Sequence, residues 1–413
     1  ILGSYLAYGE DGYELWLRYK SLTEENHIRQ TEDLFRKVVL PESSSETYSN
    51  IKNELERALS KMAHLEIEFS GSLSKDSRLL IGTPEDFELL RTDDNFSGLS
   101  ALGKQGFIID RLSSRPSTLA IASNNPIGAL YGMFHLLREV QIQQDIEPLL
   151  PIVCKPKITD RILNHWDNLD RTVERGYAGF SIWDWHKLPD YMEQRYVDYA
   201  RANASIGING AVLTNVNANA LVLTAPYIEK VKALADLFRP YGIKVYLTAR
   251  FSSPMEIGGL NTADPQKEEV RQWWKNKAKE SYASIPDFGG FLVKANSDGQ
   301  PCPQNYDRSH ADGANMLDDA VSPYGGIVMW RAFVYCHEVP EDRAKQANNE
   351  FVPLDGQFAE NVFIQVKNGP VDFQPREPFH PLFGAMKQTK LAMEFQITQE
   401  YLGQGTNLVY LAP

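Results

Sequence analysis

The chain has 413 residues, a length that suits two or three domains better than one. Hydrophobic residues make up 43% and charged residues 23%, ordinary globular proportions that exclude a disordered chain. The net charge of −12 repels phosphate backbones and speaks against nucleic acid as a partner, and no apolar run approaches the ~20 residues that span a bilayer.

The first 150 residues read as a smaller α+β domain. Tyr13–Tyr19 alternates as a strand does, and Ile51–Met62 has apolar positions at helical spacing. Leu79–Gly82, Gly106–Asp110 and Ser117–Ala122 are strand candidates. Asn125-Pro126 then punctuates the chain, and Ile127–Val140 reads as an amphipathic helix. No catalytic constellation is evident here. Pro151 and Pro156 mark a boundary, which gives domains at 1–150 and 151–413.

Beyond the boundary, apolar strands alternate with polar helices. Strand candidates end at Asn164-His165-Trp166, Leu213-Thr214-Asn215, Leu247-Thr248-Ala249, Val293-Lys294-Ala295, Met329-Trp330-Arg331, Gln365-Val366-Lys367 and Gln396-Ile397-Thr398. Tyr227–Phe238 and Lys267–Ser281 are helical stretches between them. Such alternation implies parallel βαβ units, and without a glycine-rich nucleotide fingerprint it favours a (β/α)8 barrel over a doubly wound sheet. Seven strands are counted, then the apolar run Leu408–Leu411. No room remains after Glu400 for a further helix, so the barrel is expected to be incomplete at its C-terminus and the chain a fragment of a longer protein. A gap between first and last strands, or imperfect pairing of Leu408–Leu411 there, is the corresponding expectation.

Active sites of such barrels lie at the C-terminal strand ends. Lys294, Arg331 and Lys367 stand at those ends, with Asp298, Asp372 and Glu400 a few residues beyond. Glycoside hydrolysis needs one carboxylic acid to protonate the leaving oxygen and a second carboxylate across the ring. A single loop acid is more often solvated or a helix cap, but three at equivalent barrel positions favour chemistry. The three cations have two readings: they neutralise these carboxylates, or they clamp a carboxylate of the substrate.

Trp166, Trp183, Trp185 and Trp330 lie near the first and fifth strand ends. Trp166 and the Trp183-Asp184-Trp185 cluster are better placed as sugar platforms than Trp273 and Trp274, which sit in a helix and read as packing. His165, His310 and His337 lack metal-site spacing, and beside acids in a sugar site a histidine bonds hydroxyls; no metal and no cofactor are expected. Cys154, Cys302 and Cys336 are expected as free thiols. The sequence leaves the compartment open among secreted, periplasmic and cytoplasmic.

Several long strings resemble glycoside hydrolase family 67, the α-glucuronidases. They include Asn164-His165-Trp166-Asp167-Asn168-Leu169-Asp170, Glu174–Trp183, Ile257-Gly258-Gly259-Leu260 with Thr262-Ala263-Asp264-Pro265, and His310-Ala311-Asp312-Gly313-Ala314-Asn315. The longest match runs from Pro353 through Lys367-Asn368-Gly369-Pro370 to Arg376-Glu377-Pro378, resumes at Pro381–Met386 and ends at Gln399-Glu400-Tyr401. The resemblance covers the whole chain, weakly before Pro151 and strongly after it. It implies an accessory α/β domain, a catalytic (β/α)8 barrel and a helical C-terminal domain, which the fragment reading expects to belong to the longer protein. It also implies metal-free, inverting hydrolysis of the α-1,2 link between (4-O-methyl-)glucuronic acid and xylose in xylo-oligosaccharides. On this sequence the resemblance puts the general acid at Asp298 and the base function at Asp372 and Glu400. Lys294 and Arg331 are then expected to hold the uronate carboxylate, with Trp166, Val216 and Lys367 lining the sugar pocket. A homodimer through that helical domain in the full-length protein stays open.

One departure stands out. The family pattern has glutamate at the position of Asp298, within a Ser-Glu-Gly-Gln-Pro-Gly-Pro string; here it reads Ser297-Asp298-Gly299-Gln300-Pro301-Cys302-Pro303. Two alternatives remain beside the hydrolase: a catalytically weakened carbohydrate-binding relic of the same fold, and a hexosaminidase-like glycosidase, which shares the accessory-domain-plus-barrel layout.

Overall fold

A computed structural model describes residues 11–42, 44–176, 178–217, 219–296, 301–334, 343–370 and 377–395. The chain divides into two compact units. One comprises Ile1–Arg161, Gln194–Asn209 and Leu237–Ile243; the other comprises Ile162–Glu193, Gly210–Asp236 and Lys244–Pro413.

The first unit is built on a six-stranded sheet of β1 (Lys37–Val39), β2 (Glu68–Ser70), β3 (Leu79–Gly82), β4 (Phe107–Leu112), β5 (Arg115–Ser123) and β6 (Ile152–Cys154). Their order is β2-β1-β3-β5-β4-β6, with β4 antiparallel to both neighbours. Helices α1 (Glu25–Phe35), α2 (Glu46–Ala63), α3 (Leu89–Thr92) and α4 (Pro126–Gln141) join these strands. The start of α4 follows from its sequence: Asn125 Oδ1 accepts the Ile127 N–H at 3.0 Å, and Pro126 takes the first turn, where no N–H is needed. Tyr13–Tyr19 departs from the strand expectation. Leu15–Arg18 is a single 3-10 turn, flanked by left-handed backbone at Leu15 and Tyr19. Tertiary contacts override the alternation. Tyr19 Oη donates to Glu54 Oε1 at 2.6 Å, and Trp16 Nε1 donates to Ser205 Oγ at 2.9 Å. Helix α5 (Gln194–Ser205) belongs to the same unit, where Arg201 forks onto Glu54 at 2.7 and 2.8 Å.

The second unit holds β7 (Ile162–Asn164), β8 (Gly210–Val212), β9 (Lys244–Thr248), β10 (Gly290–Lys294), β11 (Ile327–Arg331), β12 (Val362–Lys367) and β13 (Lys390–Glu394). All seven are parallel and neighbour one another in chain order. The remaining α-helices among the described residues are α6 (Ala225–Phe238), α7 (Ser253–Glu256), α8 (Glu268–Ser284), α9 (His310–Val321), α10 (Arg343–Phe351) and α11 (Leu382–Ala385). Parallel strands in sequential order with helical crossovers are the arrangement of a (β/α) barrel. Its two ends meet through side chains: Asn164 Nδ2, on β7, donates to Glu394 Oε1, on β13, at 3.3 Å. Among the described residues no ladder hydrogen bond joins β13 to β7, so the barrel is not closed by them. The seventh strand is Lys390–Glu394; the run expected to end at Gln396-Ile397-Thr398, and the eighth candidate Leu408–Leu411, lie outside the described residues.

Close backbone approach shapes this sheet at one glycine. Gly290 opens β10 with φ +124°, and a Cβ there would lie 2.0 Å from the Ile327 carbonyl oxygen of β11. Any side chain would push the two strands apart.

Candidate functional site at the C-terminal strand ends

Strand periodicity decides which side chains face the barrel interior. Alternate residues share a face, so Leu292 and Lys294 point the same way on β10, as do Met329 and Arg331 on β11. Register pairs Leu292 with Met329 and Lys294 with Arg331. Leu292 and Met329 pack with Val212, Val216 and Tyr246 in one buried cluster, against which Trp166 also rests. Lys294 and Arg331 therefore form the next layer above this cluster. On β12 it is Gln365 that pairs with Arg331; Lys367, two residues further along the same face, pairs with Glu394 of β13.

Burial makes the charges in this layer consequential. Lys294 is 4% exposed, Arg331 1% and Lys367 3%. Arg331 grips Glu394 with three contacts: Nε to Oε2 at 3.2 Å, and Nη2 to Oε1 and Oε2 at 3.1 and 2.9 Å. Its guanidinium also stands over the rings of Trp166 and Phe333, at 5.8 and 5.6 Å. Lys367 Nζ lies 3.2 Å from the centre of the Phe333 ring. Lys294 Nζ donates to Asn217 Oδ1 at 2.6 Å. Arg331 neutralises a carboxylate, though one that sequence reasoning missed: Glu394. The strand pattern Lys390-Leu-Ala-Met-Glu394, with its acid at a strand end like the three cations, was the signal that could have found it.

The loops after β7 and β8 are held by amide side chains. Asn215 Nδ2 reaches the Trp166 carbonyl at 3.2 Å, Asn168 Oδ1 at 3.0 Å and the Glu174 carbonyl at 3.1 Å. Asn168 Nδ2 in turn donates to Thr172 Oγ1 and the Glu174 carbonyl. The Asn215 N–H donates to the Asp167 carbonyl at 2.8 Å. These bonds tie the chain around Trp166 to the chain entering Val216, which fixes both pocket candidates relative to each other. Asp167, Asn168, Thr214, Asn215 and Asn217 line a polar hollow at this end of the barrel. It is rich in paired donors and acceptors suited to hydroxyls.

The structure brings Trp166, Val216, Lys294, Arg331 and Lys367 to one end and one face of the barrel. Asp298, Asp372 and Glu400 lie outside the described residues. Other aromatic and histidine candidates move away from the pocket. Trp183 and Trp185 are 0% and 1% exposed, so neither offers a free face to a sugar; both are core. Trp330 faces the opposite side of β11 from Arg331, and its Nε1 donates to His310 Nδ1 at 3.1 Å. His310 is committed to that bond and to Glu350, not to a sugar hydroxyl. His337 and Cys336 lie outside the described residues; Cys154 and Cys302 are free thiols.

His380 gives the unit a pH dependence. It is 3% exposed, and its Nδ1 accepts the Leu382 N–H at 3.1 Å, which fixes the neutral ring. Burial pushes its pKa down to about 4, against the opposing pull of Glu377. The folded value lies below the unfolded one, so unfolding takes up a proton at low pH. The stabilisation is full above the unfolded pKa of ~6.5 and is lost as pH falls toward about 4, a difference of about 3 kcal/mol. Chemical denaturation at pH 7 and pH 4 should show this loss, and His380→Gln should flatten it. Identical slopes for the two proteins would remove His380 as the cause.

Comparison with known proteins fits this geometry. The glycosyl hydrolase family 67 N-terminus matches residues 15–136 and the family 67 middle domain matches residues 139–413. The probable alpha-glucuronidase A of Neosartorya fischeri is 40% identical over 416 residues, covering 99% of this chain and 48% of its own length. Alpha-glucuronidase A of Emericella nidulans is 40% identical over 424 residues, covering 98% and 49%. Alpha-glucuronidase A of Aspergillus tubingensis is 39% identical over 419 residues, covering 99% and 48%. The chain spans about half the length of these curated relatives. With both family domains matched in order along almost all of it, the chain belongs to glycoside hydrolase family 67.

Proposed function

We propose that this chain carries the barrel of an inverting α-glucuronidase, which removes α-1,2-linked (4-O-methyl-)glucuronic acid from xylo-oligosaccharides. The carrying observation is the buried layer of Lys294, Arg331 and Lys367 beside Trp166 and Val216. Glu394 balances Arg331, yet a cluster of three buried cations at the strand ends suits a uronate better than a neutral sugar, because charge-assisted bonds in a dry pocket are strong. The names of the relatives point the same way. In this reading residues 1–150 form the accessory domain and 151–413 the barrel. Lys294 and Arg331 hold the uronate carboxylate, while Trp166, Val216 and Lys367 line the sugar pocket. Asp298 protonates the leaving xylose oxygen, and Asp372 and Glu400 position and deprotonate the attacking water. The cation layer disfavours the hexosaminidase-like alternative, whose substrate is neutral.

The test is product analysis with a xylo-oligosaccharide bearing one glucuronic acid at its non-reducing end. Free glucuronic acid is expected, first as the β-anomer by proton NMR, since inversion of an α link gives β. Binding without release would mean a relic. A first-formed α-anomer would exclude inversion, and equal turnover of the matching neutral glucoside would exclude the uronate clamp.

A further inference from the structure

Outside the pocket, one polar network links β11, α9 and α10 and ends at Asn296, two residues before Asp298. It starts at Trp330 on β11. The indole Nε1 only donates, so His310 Nδ1 must accept, and the imidazole proton sits on Nε2. His310 opens α9 and is 1% exposed. Its Nε2 donates to Glu350 Oε2 at 2.8 Å, and its ring stacks on Phe351 with centres 4.4 Å apart. Glu350 is on α10; its Oε1 accepts from Gln346 Nε2 at 2.8 Å. Burial raises the Glu350 pKa, but the bonds from His310 and Gln346 outweigh burial and hold it below its ordinary value, so the carboxylate is charged.

The last link is Asn296. Its Nδ2 donates to Glu350 Oε2 at 3.3 Å, and its Oδ1 lies 3.7 Å from Cys302 Sγ. Cys302 N donates to Asn305 Oδ1 at 3.0 Å, at the start of the turn Pro303–Tyr306. Asn296 has φ +54°, a left-handed turn two residues after β10 ends. The residues on either side of 297–301 are therefore tied to each other and to Glu350. Gly313 lets α9 seat here, because a Cβ would come within 2.5 Å of Pro303 and 2.9 Å of Trp330.

We propose that Glu350 is a positioning residue for the acid step, holding through Asn296 the point where the chain leaves β10 toward Asp298. This rests on the reading of Asp298 as general acid. Through His310, Glu350 also staples α10 to α9 and β11, but its bond to Asn296 goes beyond that staple and directs the network at the chain leaving β10.

The test compares Glu350→Ala and Asn296→Gly with the parent enzyme on two substrates: a glucuronosyl xylo-oligosaccharide, and α-glucuronosyl fluoride, whose leaving group needs little protonation. Glycine accepts the left-handed turn at 296, so this variant keeps the fold if Glu350→Ala does not. Displacing the acid by ~1 Å predicts a kcat loss on the order of 10²-fold on the oligosaccharide, with KM changed by less than about threefold. Fluoride hydrolysis should fall by less than about tenfold. Equal losses on both substrates, or no loss on the oligosaccharide, would overturn the proposal. Asp298→Asn is run in parallel: parent-like turnover of the oligosaccharide by that variant would overturn the acid reading, and this inference with it. An inactive Asp298→Asn with equal losses for Glu350→Ala and Asn296→Gly on both substrates would overturn this inference alone.

Discussion

Arg331→Ala is expected to lower kcat/KM on glucuronides by about 10²–10³-fold, and to destabilise the barrel unit by about 3–5 kcal/mol. The two effects have different origins. Arg331 is 1% exposed and makes three contacts with Glu394, whose side chain is 9% exposed. Truncation strands that carboxylate in a dry layer, where Asn164 Nδ2 still donates to it at 3.3 Å. A stranded buried charge accounts for the stability loss. On the proposed uronate clamp, the activity loss comes from the substrate carboxylate, left under-paired in the same layer. Arg331→Ala/Glu394→Ala separates them. Removing both charges should restore stability to within about 1–2 kcal/mol, because a buried pair often adds little over apolar packing. Activity on glucuronides should stay low. If the double variant regains the parent preference for glucuronides over glucosides, Arg331 serves only to neutralise Glu394. Thermal melts and kcat/KM on matched acidic and neutral substrates read both quantities.

The barrel was legible because βα alternation is a strong local pattern. β10 and β11 fall within a residue of the apolar runs Val293-Lys294-Ala295 and Met329-Trp330-Arg331, and the charges at their ends face one layer as strand periodicity requires. The features that escaped depend on long-range contacts. Tyr19 and Trp16 reach Glu54 and Ser205, and that pull turns an alternating stretch into a 3-10 turn. Trp183 and Trp185 are core because the loop after β7 folds back on itself: Ser181 Oγ donates to Asp167 Oδ2 at 2.5 Å, and Arg171 Nη1 donates to Asp184 Oδ2 at 2.8 Å. Composition cannot tell such a buried indole from a sugar platform. Glu394 escaped because its importance lies in a partner 63 residues away. His310 escaped for the same reason, since both its ring nitrogens are used within the protein.

On the proposed reading of Asp298 as general acid, Asp298→Ala is expected to cost about 10²–10⁴-fold in kcat on xylosyl-linked glucuronides, the contribution such an acid makes. α-Glucuronosyl fluoride should be spared, because fluoride departs without a proton. A loss shared by both substrates would assign Asp298 to binding or folding instead. Asp298→Glu is the more informative change. The family pattern has glutamate here, and aspartate carries the same carboxyl on a stem one methylene shorter. If the surrounding backbone is that of the glutamate enzymes, the aspartate stands back from the leaving oxygen by ~1 Å, which can cost on the order of 10²-fold. Restoring the methylene should then raise turnover. The same string has Cys302 where the pattern has glycine, and Cys302 lies 3.7 Å from Asn296 across the ends of this loop. The alternative is that the two departures from the pattern compensate each other. On that account Asp298→Glu lowers activity alone, and Asp298→Glu/Cys302→Gly recovers it. A gain for the single variant identifies a shortened acid in an unadjusted loop; a loss repaired by the double variant identifies an aspartate and a cysteine that belong together.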